Sequence, residues 1–201
     1  MTTRLSCTAC GELIHPDTAA KNAGLCMPCK GGYRDRIEAG KKRREEDKKY
    51  EKSPARLFWL ELVRRVYAPG NTFSVLSADE LTYYAVRTLI GEVFNGGFYQ
   101  FFSNHSGELY GLALNGLLEL EANTTYGLVV QAKELLFGGQ LVPVDFRSRN
   151  DMLPEIEALD IRDSRGILLD SLETEFYKDS DNLDAKLTQF AVVRGLYASD
   201  A

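Results

Sequence analysis

Apolar residues recur at helical spacing along most of this chain. Ser53-Pro54 reads as a helix start, with serine at the N-cap and proline in the first turn. Phe58, Trp59, Leu62, Val63 and Val66 form the stripe behind it, and Pro69-Gly70-Asn71 stops the helix. Ser77-Ala-Asp-Glu80 is a capping-box pattern. The helix it opens carries Leu81, Ala85, Leu89 and Val93 on one face, to about Phe94. Leu109, Leu112, Ala113, Gly116, Leu117 and Leu120 predict a further helix. Leu128, Ala132, Leu135 and Leu136 predict another, opened by Asn123-Thr124 and ended by Gly138-Gly139. Asn150 to Leu159 reads as a short helix with Pro154 in its first turn, and Ser164-Arg-Gly166 as a break. Ile167, Leu168, Leu172 and Phe176, then Leu183, Leu187, Phe190 and Ala191, give the last two helix faces. Val142-Pro-Val-Asp145 is the best strand-like piece, too short to build a sheet. The pattern predicts an all-α, multi-helix globular domain over residues 53–201.

One run interrupts the periodicity. Asn95-Gly-Gly-Phe-Tyr-Gln-Phe-Phe-Ser-Asn-His-Ser-Gly107 packs four aromatics and three glycines into thirteen residues. Asn95-Gly96-Gly97 is a turn sequence that tolerates positive φ. Phe98, Phe101 and Phe102 lie on one face of a short helix, and Ser103 to Gly107 reads as a second turn. The reading is a glycine-hinged aromatic plug that belongs to the core. His105 is the one residue in it suited to acid–base work. No carboxylate or nucleophile is placed by sequence to pair with it, so a hydrogen-bonded turn histidine is the favoured reading.

The first 52 residues look different. They hold 12 Lys+Arg against 8 Asp+Glu, a net of +4, whereas residues 53–201 hold 12 against 21, a net of −9. An acidic globular part disfavours direct nucleic-acid binding by that part. All four cysteines lie early, as Cys7-Thr-Ala-Cys10 and Cys26-Met-Pro-Cys29. Two such pairs fifteen residues apart match a zinc pattern, because each two-residue gap lets both thiolates of a turn face one metal. The segment resembles a zinc-ribbon or treble-clef knuckle holding one structural Zn²⁺. A disulfide framework is the alternative; the chain opens without the apolar core of a secretory signal, which suggests the cytoplasm, where thiols stay reduced. His15 lies outside both turns and reads as a surface residue. Residues 1–31 are thus a zinc-binding knob. Residues 32–52 are a charged helix or linker, with Glu38–Lys42 and Glu45–Lys49 as i,i+4 pairs. A nucleic-acid patch or a protein-docking surface are the other readings of that segment.

No apolar run approaches the roughly 18 residues of a membrane span. Phosphate-cradling, metalloprotease and nucleophile-elbow motifs are absent from the sequence, which argues against an enzyme.

The run from Asn95 to Gly107 resembles the signature of the bacterial DNA-mimic protein C-terminal domain family, through Asn95, Gly96, Gly97, Phe98, Gln100, Phe101, Phe102, Asn104, Ser106 and Gly107. Leu136-Phe-Gly-Gly-Gln-Leu-Val-Pro143 is similar to a second motif of that family, with Gly138 where proline is usual. Leu172-Glu-Thr-Glu-Phe-Tyr177 is similar to a third. The likeness runs from about Leu76 to Tyr197. It implies an all-helical domain and a protein partner that normally binds DNA, such as a transcription regulator.

Residues 151–184 hold 11 acidic side chains. Carboxylates one helical turn apart sit about 5–6 Å from each other, on the order of phosphate spacing along a strand. Asp170, Glu173, Glu175, Asp179, Asp181 and Asp184 are therefore the candidate partner-binding residues. A solubilising acidic face is the plainer reading of the same composition. The expected function is a non-enzymatic, zinc-containing interaction protein acting as an acidic DNA mimic. The alternative is a zinc-knob adaptor that recruits a protein or nucleic-acid partner through residues 1–52.

Overall fold

The computed structural model describes residues 3–155 and 164–198. The chain divides into two compact units, Met1–Ser53 and Pro54–Ala201. Among the described residues the fold is helical, with one two-stranded sheet.

The first unit opens with β1 (Leu5–Ser6) and β2 (Leu13–Ile14), antiparallel, with Leu5 opposite Ile14 and Ser6 opposite Leu13. Val142–Asp145, the strand-like piece too short to build a sheet, forms no strand. Helix α1 (Pro16–Lys21) follows, with His15 at its N-cap accepting from the Asp17 N–H. Helix α2 (Met27–Lys30) is one turn long and is capped by Cys26. Helix α3 (Arg34–Tyr50) takes up the charged segment, and none of its residues is buried. Glu38 pairs with Arg34 and Lys41, Glu45 with Lys48, and Glu46 with Lys42. The pairs expected at Glu38–Lys42 and Glu45–Lys49 are replaced by i,i+3 contacts, which are equally neighbours on a helix surface. Among the described residues this unit buries Cys7, Ile14, Ala19, Asn22 and Cys26, too few for an apolar core of ordinary size.

The second unit is built on α5 (Ala78–Ser103). Before it, α4 (Pro54–Val66) buries Leu62 and Val66, and Trp59 stacks on Tyr84 with ring centroids 5.1 Å apart. The capping box forms: the Glu80 N–H donates to Ser77 Oγ, and Ser77 N–H to the Glu80 carboxylate. Tyr83, Tyr84, Ala85, Val86, Leu89, Ile90 and Val93 are all buried, so α5 is apolar on more than one side, as a central helix must be. Around it lie α6 (Tyr110–Glu119), α7 (Asn123–Phe137), α8 (Phe146–Met152), α9 (Ser164–Tyr177) and α10 (Leu183–Val193).

Three expected boundaries differ. The run Asn95-Gly96-Gly97 does not separate two helices; it kinks one, and α5 continues through it to Ser103. Ser164-Arg-Gly166 is the first turn of α9, not a break. Its inward face is Gly166, Leu169 and Phe176, with Leu172 partly buried, while Ile167 and Leu168 are exposed. Apolar residues at 167, 168 and 169 leave the face ambiguous by pattern, and packing selects Leu169. Helix α8 spans Phe146–Met152 and ends before Pro154, since proline disfavours helix in the residue preceding it. The remainder of the helix expected to reach Leu159 lies outside the described residues from 156 on.

Candidate metal centre and candidate partner surface

The hairpin turn between β1 and β2 carries Cys7 and Cys10. It is closed by Cys7 N–H to Glu12 O at 2.8 Å and Gly11 N–H to Cys7 O at 2.9 Å, with Gly11 at φ +76°. Cys26 and Cys29 ride on the first turn of α2. The four sulfurs lie within 4.8 Å of one another, and Cys10 Sγ is 3.7 Å from Cys26 Sγ. A tetrahedron with metal–sulfur bonds of about 2.3 Å has an edge of about 3.8 Å, so the donor set fits a four-coordinate thiolate site. His15 is not among these donors.

The electrostatics point the same way. The Cys26 N–H, donating at 3.2 Å, pulls the Cys7 thiol down to about 6. Burial opposes ionisation of Cys26, but the Cys29 N–H and the Arg34 guanidinium outweigh it and lower its pKa. The side chain of Cys26, followed by burial, pushes Cys29 up to about 12. The first thiolates formed resist the next, and a divalent cation removes that resistance.

The second unit concentrates its polar work at the kink of α5. Gly97 sits at φ +75°, and a side chain there would overlap the Glu173 carboxylate. In an unbroken helix Phe98 N–H and the Val93 carbonyl would find partners one turn away. Here Phe98 N–H donates to Glu173 Oε1 at 2.9 Å, and Tyr177 Oη donates to the Val93 carbonyl at 3.1 Å. Glu173 and Tyr177 are four apart on α9, so they share a face. Phe176 between them meets both Phe94 and Phe98 edge-on. Burial raises the Glu173 pKa against the lowering effect of the Phe98 N–H.

The far end of α5 is closed by Arg149, which is fully buried. Its Nε donates to the Phe102 carbonyl at 2.7 Å and its Nη2 to Asn104 at 2.7 Å. Nη1 donates to Pro143 at 3.0 Å and Val144 at 2.8 Å. Four carbonyls thus take the place of a carboxylate partner. Gly107 makes room, since a side chain there would overlap the guanidinium and the Phe102 carbonyl. Gln100 and Asn104 both donate to Glu92, at 2.7 and 3.0 Å, and Ser106 Oγ donates to the Phe101 carbonyl at 3.0 Å. Phe98, Phe101 and Phe102 are fully buried, and Phe102 packs edge-on against Phe137. His105 is exposed, its ring lying 4.4 Å above Phe146 at 11°. It works there as a stacking group.

The six acidic candidates divide by what they touch. Glu173 caps the segment after the kink. Asp181 Oδ2 accepts from Thr125 N–H at 2.6 Å, capping α7 from a distance. Burial acts to raise the Asp181 pKa, but the Thr125 N–H and the Thr125 and Thr124 hydroxyls prevail and lower it. Asp179 accepts from Leu183 N–H at 2.7 Å at the start of α10. These three carboxylates are engaged inside the fold. Glu175 pairs with Lys178 and Asp184 with Arg87, both on the surface, and Asp170 is exposed on α9.

Among the described residues, fold and site define a predominantly helical protein with a four-cysteine knob. Residues 74–195, more than half of the chain, match the family model described as DMP19-like protein, and the chain belongs to that family, one of DNA mimics. No curated protein and no solved structure gives a match.

Sequence reasoning missed Arg149, Arg34 and Glu92. Arg149 and Arg34 sit in polar runs that read as surface, Glu92 is a single carboxylate within an apolar stretch, and each is recruited by groups distant in sequence or by a neighbouring motif. The one available signal was glycine at 97 and 107, where close approach by another side chain was to be expected.

Proposed function

We propose that the chain is a non-enzymatic interaction protein whose helical unit occupies the DNA-binding face of a transcription regulator in place of DNA. The observation that carries this is the family match over the helical unit. The distribution of carboxylates supports it. Asp170, Glu175 and Asp184 are exposed on α9 and α10, while Glu173, Asp179 and Asp181 hold the backbone that displays them. Exposed carboxylates meet a regulator through the Lys and Arg side chains that DNA would use. Binding is therefore mutually exclusive with DNA and weakens as salt rises. The salt slope is shallower than that of DNA, because isolated carboxylates release fewer counterions than a polyanion. The test is affinity capture from the native cell, then a competition titration of captured regulator, labelled DNA and this protein at two salt concentrations. Displacement of DNA, relieved by salt, is the expected result. A ternary complex that keeps its DNA, or an affinity indifferent to salt, contradicts the reading.

The knob, in this reading, holds one structural zinc through Cys7, Cys10, Cys26 and Cys29. Four thiolates fill the coordination sphere, so no position is open for water or substrate. The four unpaired thiols suit a reducing cytoplasm. A second reading, an adaptor that recruits through residues 1–52, is favoured by one observation: α3 is seventeen residues long and buries none of them. Under that reading deletion of residues 1–53 abolishes capture of the partner; under the mimic reading capture survives.

A further inference from the structure

We propose that Arg34 belongs to the metal centre as a positioning residue, holding the two cysteine pairs together from outside the coordination sphere and anchoring α3 to them. This inference rests on the zinc reading of the knob. Arg34 Nη2 donates to Cys10 Sγ at 3.1 Å and to Cys26 Sγ at 3.2 Å, one sulfur from the hairpin turn and one from the start of α2. Nη1 donates to Glu38 Oε1 at 3.2 Å, and that oxygen also accepts from Lys41 Nζ at 3.0 Å. The Arg34 side chain is 18% exposed, in a helix that has no buried residue.

The chemistry explains the choice of residue. A divalent cation with four thiolates carries a net charge of −2. A guanidinium offsets one unit and presents its donors in a fixed fork, so a single Nη2 serves both sulfurs; an ammonium is a point charge without that geometry. Glu38 fixes the other edge of the fork. Cys10 is the exposed residue of the set, and Arg34 donates to its sulfur. Hydrogen bonds to thiolates hold the sulfurs in place, and outer-shell partners of this kind are typically worth about 10–100-fold in metal affinity. A second consequence is local. Metal loading fixes the first turn of α3, because Arg34 is its link to the sulfurs.

The experiment titrates the full chain with cobalt(II), then with zinc against a chromophoric chelator. It compares the parent with Arg34→Gln, Arg34→Lys and Glu38→Gln. The parent is expected to take up one metal. Arg34→Gln should bind zinc about 10–100-fold more weakly. Its saturated cobalt form should keep the ligand-field bands of a tetrahedral site, since all four thiolates remain, while the thiolate-to-cobalt charge-transfer band shifts. Arg34→Lys should recover part of the affinity and Glu38→Gln lose little. Amide exchange over residues 33–38 in the loaded protein should quicken in Arg34→Gln. Parent-like affinity, charge-transfer band and exchange in both Arg34 variants would overturn the inference and leave the zinc reading standing. A parent chain that binds neither metal would overturn both.

Discussion

The two units of this chain reach a defined structure by different means. The helical unit surrounds α5 with buried side chains and satisfies its broken backbone through Glu173, Tyr177 and Arg149. The knob buries only a handful of residues, and two of those are cysteines. Apolar burial holds one; four sulfurs gathered around one point organise the other. The difference also separates recognition from function. The three motifs that carry the family likeness converge on the two ends of one bent segment, where glycine, phenylalanine and glutamate close the joint. They mark the scaffold. In the proposed function, the surface offered to a partner is made of exposed carboxylates beside that joint.

Metal removal draws the contrast most sharply. Structural zinc sites in small domains are worth about 10–16 kcal/mol of apparent binding free energy, which is also folding free energy. Chelation, or Cys26→Ser, is expected to expose residues 1–31 to protease while the helical unit keeps its far-ultraviolet circular dichroism and its Tm. Limited proteolysis with mass analysis reads both at once.

Next come the buried ends of the joint. Phe101→Ala should cost about 3–5 kcal/mol, as large-to-small changes at fully buried aromatics do. Arg149→Met should cost a comparable amount, because the buried Phe102 carbonyl and three part-buried carbonyls lose their donors at once, and a buried unsatisfied group costs about 1–3 kcal/mol. Denaturant unfolding checks both, and neither change should alter metal uptake by the knob.

Those residues also show what a sequence makes legible. The stripes at Ala85, Leu89 and Val93 and at Leu183, Leu187 and Phe190 could be read directly, because burial follows local period. The cysteine pairs could be read because spacing alone brings two thiolates to one turn. Arg149 could not. It lies in Arg147-Ser-Arg-Asn150, which reads as solvated, and it is buried because a helix end about 45 residues earlier needs donors. Glu173 was read as one carboxylate among several, when the backbone break at Gly97, some 75 residues away, had already given it a partner. Local pattern reports period; it does not report which distant backbone group is left open.

The kink itself gives a smaller effect with a distinctive pH signature. Gly97→Ala, forced to positive φ against the Glu173 carboxylate, should cost roughly 1–3 kcal/mol. Glu173→Ala should cost about 1–2 kcal/mol through the lost cap. Glu173→Gln keeps an acceptor for Phe98 N–H and should be nearly neutral in acid, where the parent carboxyl is itself protonated. The folded pKa of the Glu173 carboxyl is raised above the ordinary 4.5, so the parent loses stability as pH climbs from there through the raised value. The glutamine variant lacks that loss. It should therefore gain on the parent towards neutral pH and match it in acid, which thermal melts at several pH values would reveal.

The exposed carboxylates should affect stability least. Asp170→Asn, Glu175→Gln and Asp184→Asn should each stay within about 0.5 kcal/mol. Combined, they test the division between scaffold and surface most directly. The measurement pairs thermal melts with the DNA-competition titration for this triple variant and for Glu173→Ala, at a temperature where both are folded. The account predicts that the triple variant keeps the parent's Tm and no longer displaces DNA from the regulator, while Glu173→Ala melts earlier and still displaces it. A triple variant that competes as well as the parent, alongside a Glu173→Ala variant that melts normally but cannot compete, would place the partner surface at the joint and contradict the account.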